Sequence, residues 1–180
     1  MSDFLESSNG VKDDEIVVLV PKASESEDEQ KSFSVLYGVA KVSNLVSELV
    51  QYDESGRLQS VPLPNVSSKS LGQVVRFMTE HNKVNMNTIQ TPLTDVDMAK
   101  LVNEPFATMI TSFSQEELFE IVLAAHYMDV QPLTNLCCAR IATMIKGKTP
   151  DEIRKTFNIV GDFTPEEENQ VREDNNWCED

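Results

Sequence analysis

The hydrophobic pattern changes character along the chain. Residues 15–20 open with a β-branched run, Ile16-Val17-Val18-Leu19-Val20, stopped by Pro21, and such residues favour a strand. Residues 32–37 alternate polar and apolar side chains, the period of a strand with one buried face, so the two runs predict a hairpin. From Ala40 the period lengthens: Leu45 with Leu49, and Val46 with Val50, share a helical face. Val61-Pro62-Leu63-Pro64 is a short extended piece, confined to a sheet edge because proline has no N–H to give a ladder. Residues 69–81 read as a helix with Leu71, Val74, Val75 and Met78 inward. Residues 82–103 form a polar connection with helical character only at 96–102. Ser114-Gln115-Glu116-Glu117 is a capping box that launches a helix through Leu118, Phe119, Val122, Leu123, Ala125 and Tyr127. A further helix over 129–146 carries Pro132 in its first turn and Leu133, Leu136, Ala139, Ile141, Met144 and Ile145 as its apolar set. Strands early and helices late predict an α+β domain over 15–146, with mobile loops at 21–31 and 82–104 and a flexible start at 1–14.

Beyond Ile145 the pattern changes again, and 147–180 reads as a separate C-terminal extension. Lys146 and Gly147 are typical helix-ending residues. Thr149-Pro150-Asp151-Glu152 and Thr164-Pro165-Glu166-Glu167 then repeat one helix start. Threonine serves as N-cap, proline takes the first helical position, and a glutamate three residues after the cap reaches back to its N–H. The acids face the positive end of the helix dipole. Between and after these short helices stand Phe157, Ile159, Val160, Phe163 and Trp177. Two short helices cannot bury that many large apolar groups against each other, so part of this surface suits a partner. With Ile153, one turn before Phe157, these side chains fit either the core of the extension or the lining of a groove. Ile141, Met144 and Ile145 fit either the core of the preceding domain or the floor of such a groove.

Composition narrows the classes. The chain has 180 residues, 40% of them apolar, enough for one sizeable core with an extension. Thirty acidic residues against fifteen basic give a net charge of −15, which disfavours nucleic acid and anionic membrane and suits partners with basic surfaces. Three cysteines, two of them the adjacent Cys137 and Cys138, do not indicate a disulfide framework. No apolar run reaches the length of a membrane span, and Met1-Ser2-Asp3 is unlike a targeting leader, so cytosol or nucleus is expected. His81 and His126 lie on different helices, and adjacent cysteines project about 100° apart on a helix, so no metal site is expected. No glycine-rich phosphate loop is present, and Glu179 and Asp180 beside Cys178 disfavour a thiolate. The chain therefore reads as a non-enzyme without cofactors; a cysteine hydrolase lacks its partner constellation.

Several segments also resemble a known family. KGKTPDEIRKTFNI at 146–159, DFTPEEE at 162–168 and NWC at 176–178 are similar to the tail of Skp-type adaptors of SCF (Skp–cullin–F-box) ubiquitin ligases. VPLPNV at 61–66 and ELFEIVLAAHYMDV at 117–130 match further family segments in the family's order. The resemblance is dense over 114–178, patchy over 45–82, and weak before 45 and over 83–113. It implies a BTB/POZ fold over 15–146 followed by an F-box-binding extension over 147–180. It favours the groove reading for Ile153, Phe157, Ile159, Phe163 and Trp177, with Ile141, Met144 and Ile145 as its floor. It places His126 and Tyr127 at the cullin contact, with histidine where the family has asparagine. At 106–110 the chain has Phe-Ala-Thr-Met-Ile where the family has a Trp-Asp-x-Glu-Phe stretch, and residues 21–31 lengthen the first hairpin. In some protist members the proline matching Pro150 is hydroxylated and glycosylated, making Pro150 a candidate modification site. The function implied is a non-catalytic adaptor between a cullin and F-box proteins, with a weak homodimer when no partner is bound. The alternative is an F-box-binding paralogue acting outside cullin ligases. An elongin-C-like adaptor would end near the domain and lack this tail.

Overall fold

The computed structural model describes residues 10–23, 31–160 and 164–175. Two strands and a third short one form a sheet of order β2-β1-β3, with β1 (Ile16–Pro21) central. Along β1 the side chains of Val17, Leu19 and Pro21 are buried while Ile16 faces outward, as the two-residue period of a strand requires. β2 (Phe33–Leu36) pairs antiparallel, with Ile16 opposite Leu36 and Leu19 opposite Phe33, so the hairpin expected from the alternation is present. β3 (Val61–Leu63) pairs parallel to β1 on the other side, and Pro62 sits on the edge strand where its missing N–H costs no ladder bond. Most of the loop at 21–31 lies outside the described residues.

The helical reading from Ala40 needs correction. Two short helices replace one: α1 (Tyr37–Ala40) begins where alternation suggested strand, and α2 (Asn44–Leu49) follows after a break. The break has a cause in Ser43, whose buried hydroxyl accepts from the Val46 N–H at 3.2 Å and starts the second helix afresh. Val46 and Val50 are buried as expected, but Leu45 is only half-buried and Leu49 is exposed. α3 (Ser68–Lys83), capped by Ser67, buries Leu71, Val74 and Met78; Val75 is half-buried, and the position facing inward is Phe77. The Phe77 ring lies 5.4 Å from Phe106 and 5.6 Å from His81, at the centre of the aromatic packing.

The helical character expected at 96–102 is present as one short helix, and a second, announced by no period, follows the polar connection. α4 (Met98–Leu101) is capped by Asp97, and α5 (Phe106–Thr111) buries Phe106, Ala107, Met109 and Ile110. Six residues with four apolar ones inward are too short to show a helical period. The Asn103 side chain pins the chain beside it, donating to the Asn85 carbonyl at 3.2 Å and accepting from the Asn87 N–H at 2.9 Å. α6 (Gln115–Tyr127) and α7 (Gln131–Ile145) complete the N-terminal part, and α3 packs against α6. α8 (Pro150–Phe157) and α9 (Pro165–Asp174) follow. The chain divides into two compact units, Met1–Thr143 and Met144–Asp180, so the division falls in the last turn of α7. Among the described residues no helix is long and apolar enough to cross a membrane.

Candidate functional site

α6 is positioned by its first turn. Ser114 accepts from the Glu117 N–H, and the Glu117 carboxylate accepts from the Ser114 N–H at 3.0 Å, as the sequence box predicts. That backbone bond comes first, and Lys69 at 2.9 Å second, in holding the Glu117 carboxyl below its ordinary pKa. The helix turns Leu118, Ile121, Ala124 and Ala125 into the core. Phe119 and Leu123, part of the apolar run that marks this helix, are exposed, Leu123 at 69%. Four residues apart, they lie on one face of the helix, opposite the buried set, and His126 continues that face in the last turn. His126 is exposed and Tyr127 half-buried.

The turn after Tyr127 is tied down from outside. Ser43 donates to the Met128 carbonyl, and Asn44 Nδ2 donates to Asp129 Oδ2 at 2.7 Å. Asp129 sits at φ +50°, the left-handed region that short polar residues tolerate, and also accepts from Gln131 Nε2 at 2.6 Å. The Gln131 amide, then that of Asn44, draws the Asp129 carboxyl below its ordinary pKa. His126 and Tyr127 therefore stand at a fixed corner where one helix ends and the next begins.

α7 buries Leu133, Leu136, Cys137, Ala139 and Thr143. Burial pushes the Cys137 thiol up to about 12, which makes it a packing group rather than a nucleophile, while its neighbour Cys138 is exposed. Of the residues predicted for the groove floor, Ile141 and Met144 are half-buried and Ile145 is exposed.

The C-terminal unit repeats the same capping device twice. Thr149 N donates to Glu152 Oε2 at 2.8 Å and Thr149 Oγ1 accepts from the Glu152 N–H. Thr164 and Glu167 reproduce this pair, again at 2.8 Å for the backbone donor. α8 ends at Asn158, left-handed at φ +52°, where the Ile159 N–H returns to the Arg154 carbonyl at 2.9 Å. Among the residues of this unit whose burial is described, 144–160, 164, 166, 167, 169–171 and 173–175, not one is buried. Ile153 and Phe157 are half-buried, one turn apart on α8, and Ile159 and Val160 are exposed, Val160 at 81%. Pro150 is exposed at the first position of α8. Phe163 and Trp177 lie outside the described residues.

The predicted residues thus fall on three elements: His126 and Tyr127 at the end of α6, Ile141, Met144 and Ile145 on α7, and Ile153, Phe157 and Ile159 on or just after α8. Phe119 and Leu123 were missed as surface residues because a helix with apolar side chains on every side gives no period to sort them. Among the described residues no group of three His, Cys, Asp or Glu side chains is arranged to hold a metal ion.

A small three-stranded sheet with α-helices and a mostly helical C-terminal half, ending in a unit where no side chain of described burial is buried, defines an α+β domain followed by a helical unit. The profile described as "Skp1 family, dimerisation domain" matches residues 131–178. Of the relatives, the "S-phase kinase-associated protein 1 homolog" of Tetrahymena thermophila is 45% identical over 142 residues, covering 79% of this chain and 84% of that protein. The "E3 ubiquitin ligase complex SCF subunit sconC" of Talaromyces stipitatus is 41% identical over 154 residues, 84% of this chain and 93% of its own length. The "Suppressor of kinetochore protein 1" of Schizosaccharomyces pombe is 39% identical over 154 residues, 84% of this chain and 94% of that one. The chain belongs to the Skp1 family, and its fold is of the BTB/POZ kind.

Proposed function

We propose that the chain is a non-catalytic adaptor that joins a cullin to F-box proteins in an SCF ubiquitin ligase, so that a substrate is ubiquitinated by proximity. A relative of similar length is named as an SCF subunit, which supports the assembly. The observation that carries the division of labour is the contrast between units: in the C-terminal unit Ile153, Phe157 and Ile159 are half-buried or exposed, and no residue of described burial there is buried. Apolar side chains left half-buried or exposed gain from burial against an apolar partner. F-box proteins are assigned to Ile141, Met144 and Ile145 on α7 and to Ile153, Phe157 and Ile159, with Phe163 and Trp177 as further anchors. The cullin is assigned to the corner at His126 and Tyr127, whose tethering by Ser43 and Asn44 gives a preformed contact. Without a partner, the same apolar surfaces support weak self-association. Pro150, exposed on α8, is the proposed modification site, and cytosol or nucleus the proposed location.

The test is recovery of partners on the tagged full chain. A cullin and an F-box protein recovered in one complex are the expected result. F-box proteins without cullin would move the chain to a role outside cullin ligases.

A further inference from the structure

We propose that a cleft of about 600 Å³ in the N-terminal unit admits uncharged, apolar side chains of F-box partners and makes this chain selective among them. The inference rests on the adaptor reading and adds to it a specificity pocket beside the α7 surface. One wall is the segment after α3, with Met86, Ile89 and Leu93; the other is the outer flank of α7, with Asn135, Cys138 and Ala142. The volume lies within the range of about 300–1,000 Å³ typical of sites that enclose a ligand group.

Three observations fix the occupant's chemistry. First, the lining contains no Asp, Glu, Lys or Arg, although the chain carries 45 such residues. An uncharged concavity on a protein of net charge −15 favours apolar groups and penalises a buried, unpaired charge. The one titratable ring that lines it, His81, is held toward its neutral form by burial and lies beside Phe77. Second, the cleft adjoins the α7 part of the surface assigned to F-box proteins. Cys138 is three residues before Ile141 and seven before Ile145 on α7, so the three share a flank of the helix. A partner laid along that flank meets the mouth of the cleft. Third, the segment wall is built. Met98 and Val102, farther along the segment, are buried, and the Asn103 side chain grips the backbone of Asn85 and Asn87. This wall falls in a stretch, 83–113, where the sequence resembles the family only weakly.

The test measures affinities of a panel of purified F-box domains for the full chain by calorimetry. Ala142→Phe fills the cleft from α7; Ile89→Ser with Leu93→Ser strips the opposite wall. Each change is expected to weaken some domains about tenfold or more and leave others nearly unchanged, which reorders the panel. Ile145→Asp, on the shared flank, is expected to weaken all of them. If the cleft variants shift no domain, or all equally, while Ile145→Asp weakens every one, the cleft proposal fails and the adaptor reading stands. If Ile145→Asp also changes nothing, the α7 surface is not the F-box contact and both fail. The unmutated chain supplies a readout free of folding effects: Met86 and Ile89 methyl resonances shift on binding of the cleft-dependent domains. Resonances unmoved by every domain overturn the proposal.

Discussion

The two units start their helices alike and finish them differently. Ser114–Glu117 on α6, Thr149–Glu152 on α8 and Thr164–Glu167 on α9 are all reciprocal capping boxes. Behind the first, α6 turns Leu118, Ile121, Ala124 and Ala125 into a core completed by α3. Behind the second, α8 buries nothing. A cap satisfies orphan N–H groups and fixes where a helix begins, and it says nothing about what the helix packs against. Eight and ten residues are also below the length at which a helix holds alone in water. The same local device therefore yields a self-sufficient fold in one unit and, in our reading, an unfinished surface in the other.

The largest effect expected from this contrast is that of removing residues 148–180. F-box binding should fall below detection while the remaining chain keeps its cooperative melt and its cullin. Loss of both partners from a chain still folded by circular dichroism would break the comparison. Next come two phenylalanines. Phe77 is 0% exposed, between Phe106 and His81, so Phe77→Ala should cost about 3–5 kcal/mol of stability in a denaturant titration. Phe157→Ala should leave that titration within about 0.5 kcal/mol and instead weaken F-box binding. Equal destabilisation by both would make α8 ordinary core.

Tyr127→Lys sharpens the division from the other side. If Tyr127 meets the cullin as proposed, an unpaired lysine there should weaken cullin binding by about 2 kcal/mol or more, some thirtyfold, with F-box affinity unchanged. Surface plasmon resonance with each partner in turn reads this directly. The smallest effect concerns pH. Lys100 first, and then the Asp97 and Val96 N–H groups, hold Asp95 down at about 2, against 3.8 ordinarily. A carboxylate whose pKa is lower in the folded state stabilises above its unfolded value, and that contribution fades as pH falls from about 4 to about 2. Asp95→Asn should lower stability slightly near neutral pH, and the gap from wild type should close toward pH 2.

Much of this was legible in the residues. The three capping boxes, the proline edge strand and the hairpin are local chemistry, and each stands where the pattern put it. What escaped depends on partners distant in sequence. Ser43 breaks the helix at 41–43 while its hydroxyl donates to Met128, a contact across 85 residues that no period reveals. α5 lies in a stretch where neither periodicity nor family likeness was strong, and its Phe106 finds its place against Phe77, far away in sequence. Phe119 and Leu123 show the converse, since hydrophobic residues on a core helix need not all face the core.

Hydrogen exchange on the full chain, free and bound to a purified F-box domain, tests the central claim most directly. The claim is that the apolar residues of the C-terminal unit complete a partner's surface rather than a core of their own. In the free chain, amides of α8 and α9 should exchange fast while those of α3 and α6 stay protected. On binding, α8 and α9 should slow sharply, with little change in α3. Strong and equal protection of α8 and α9 in both states would contradict the account.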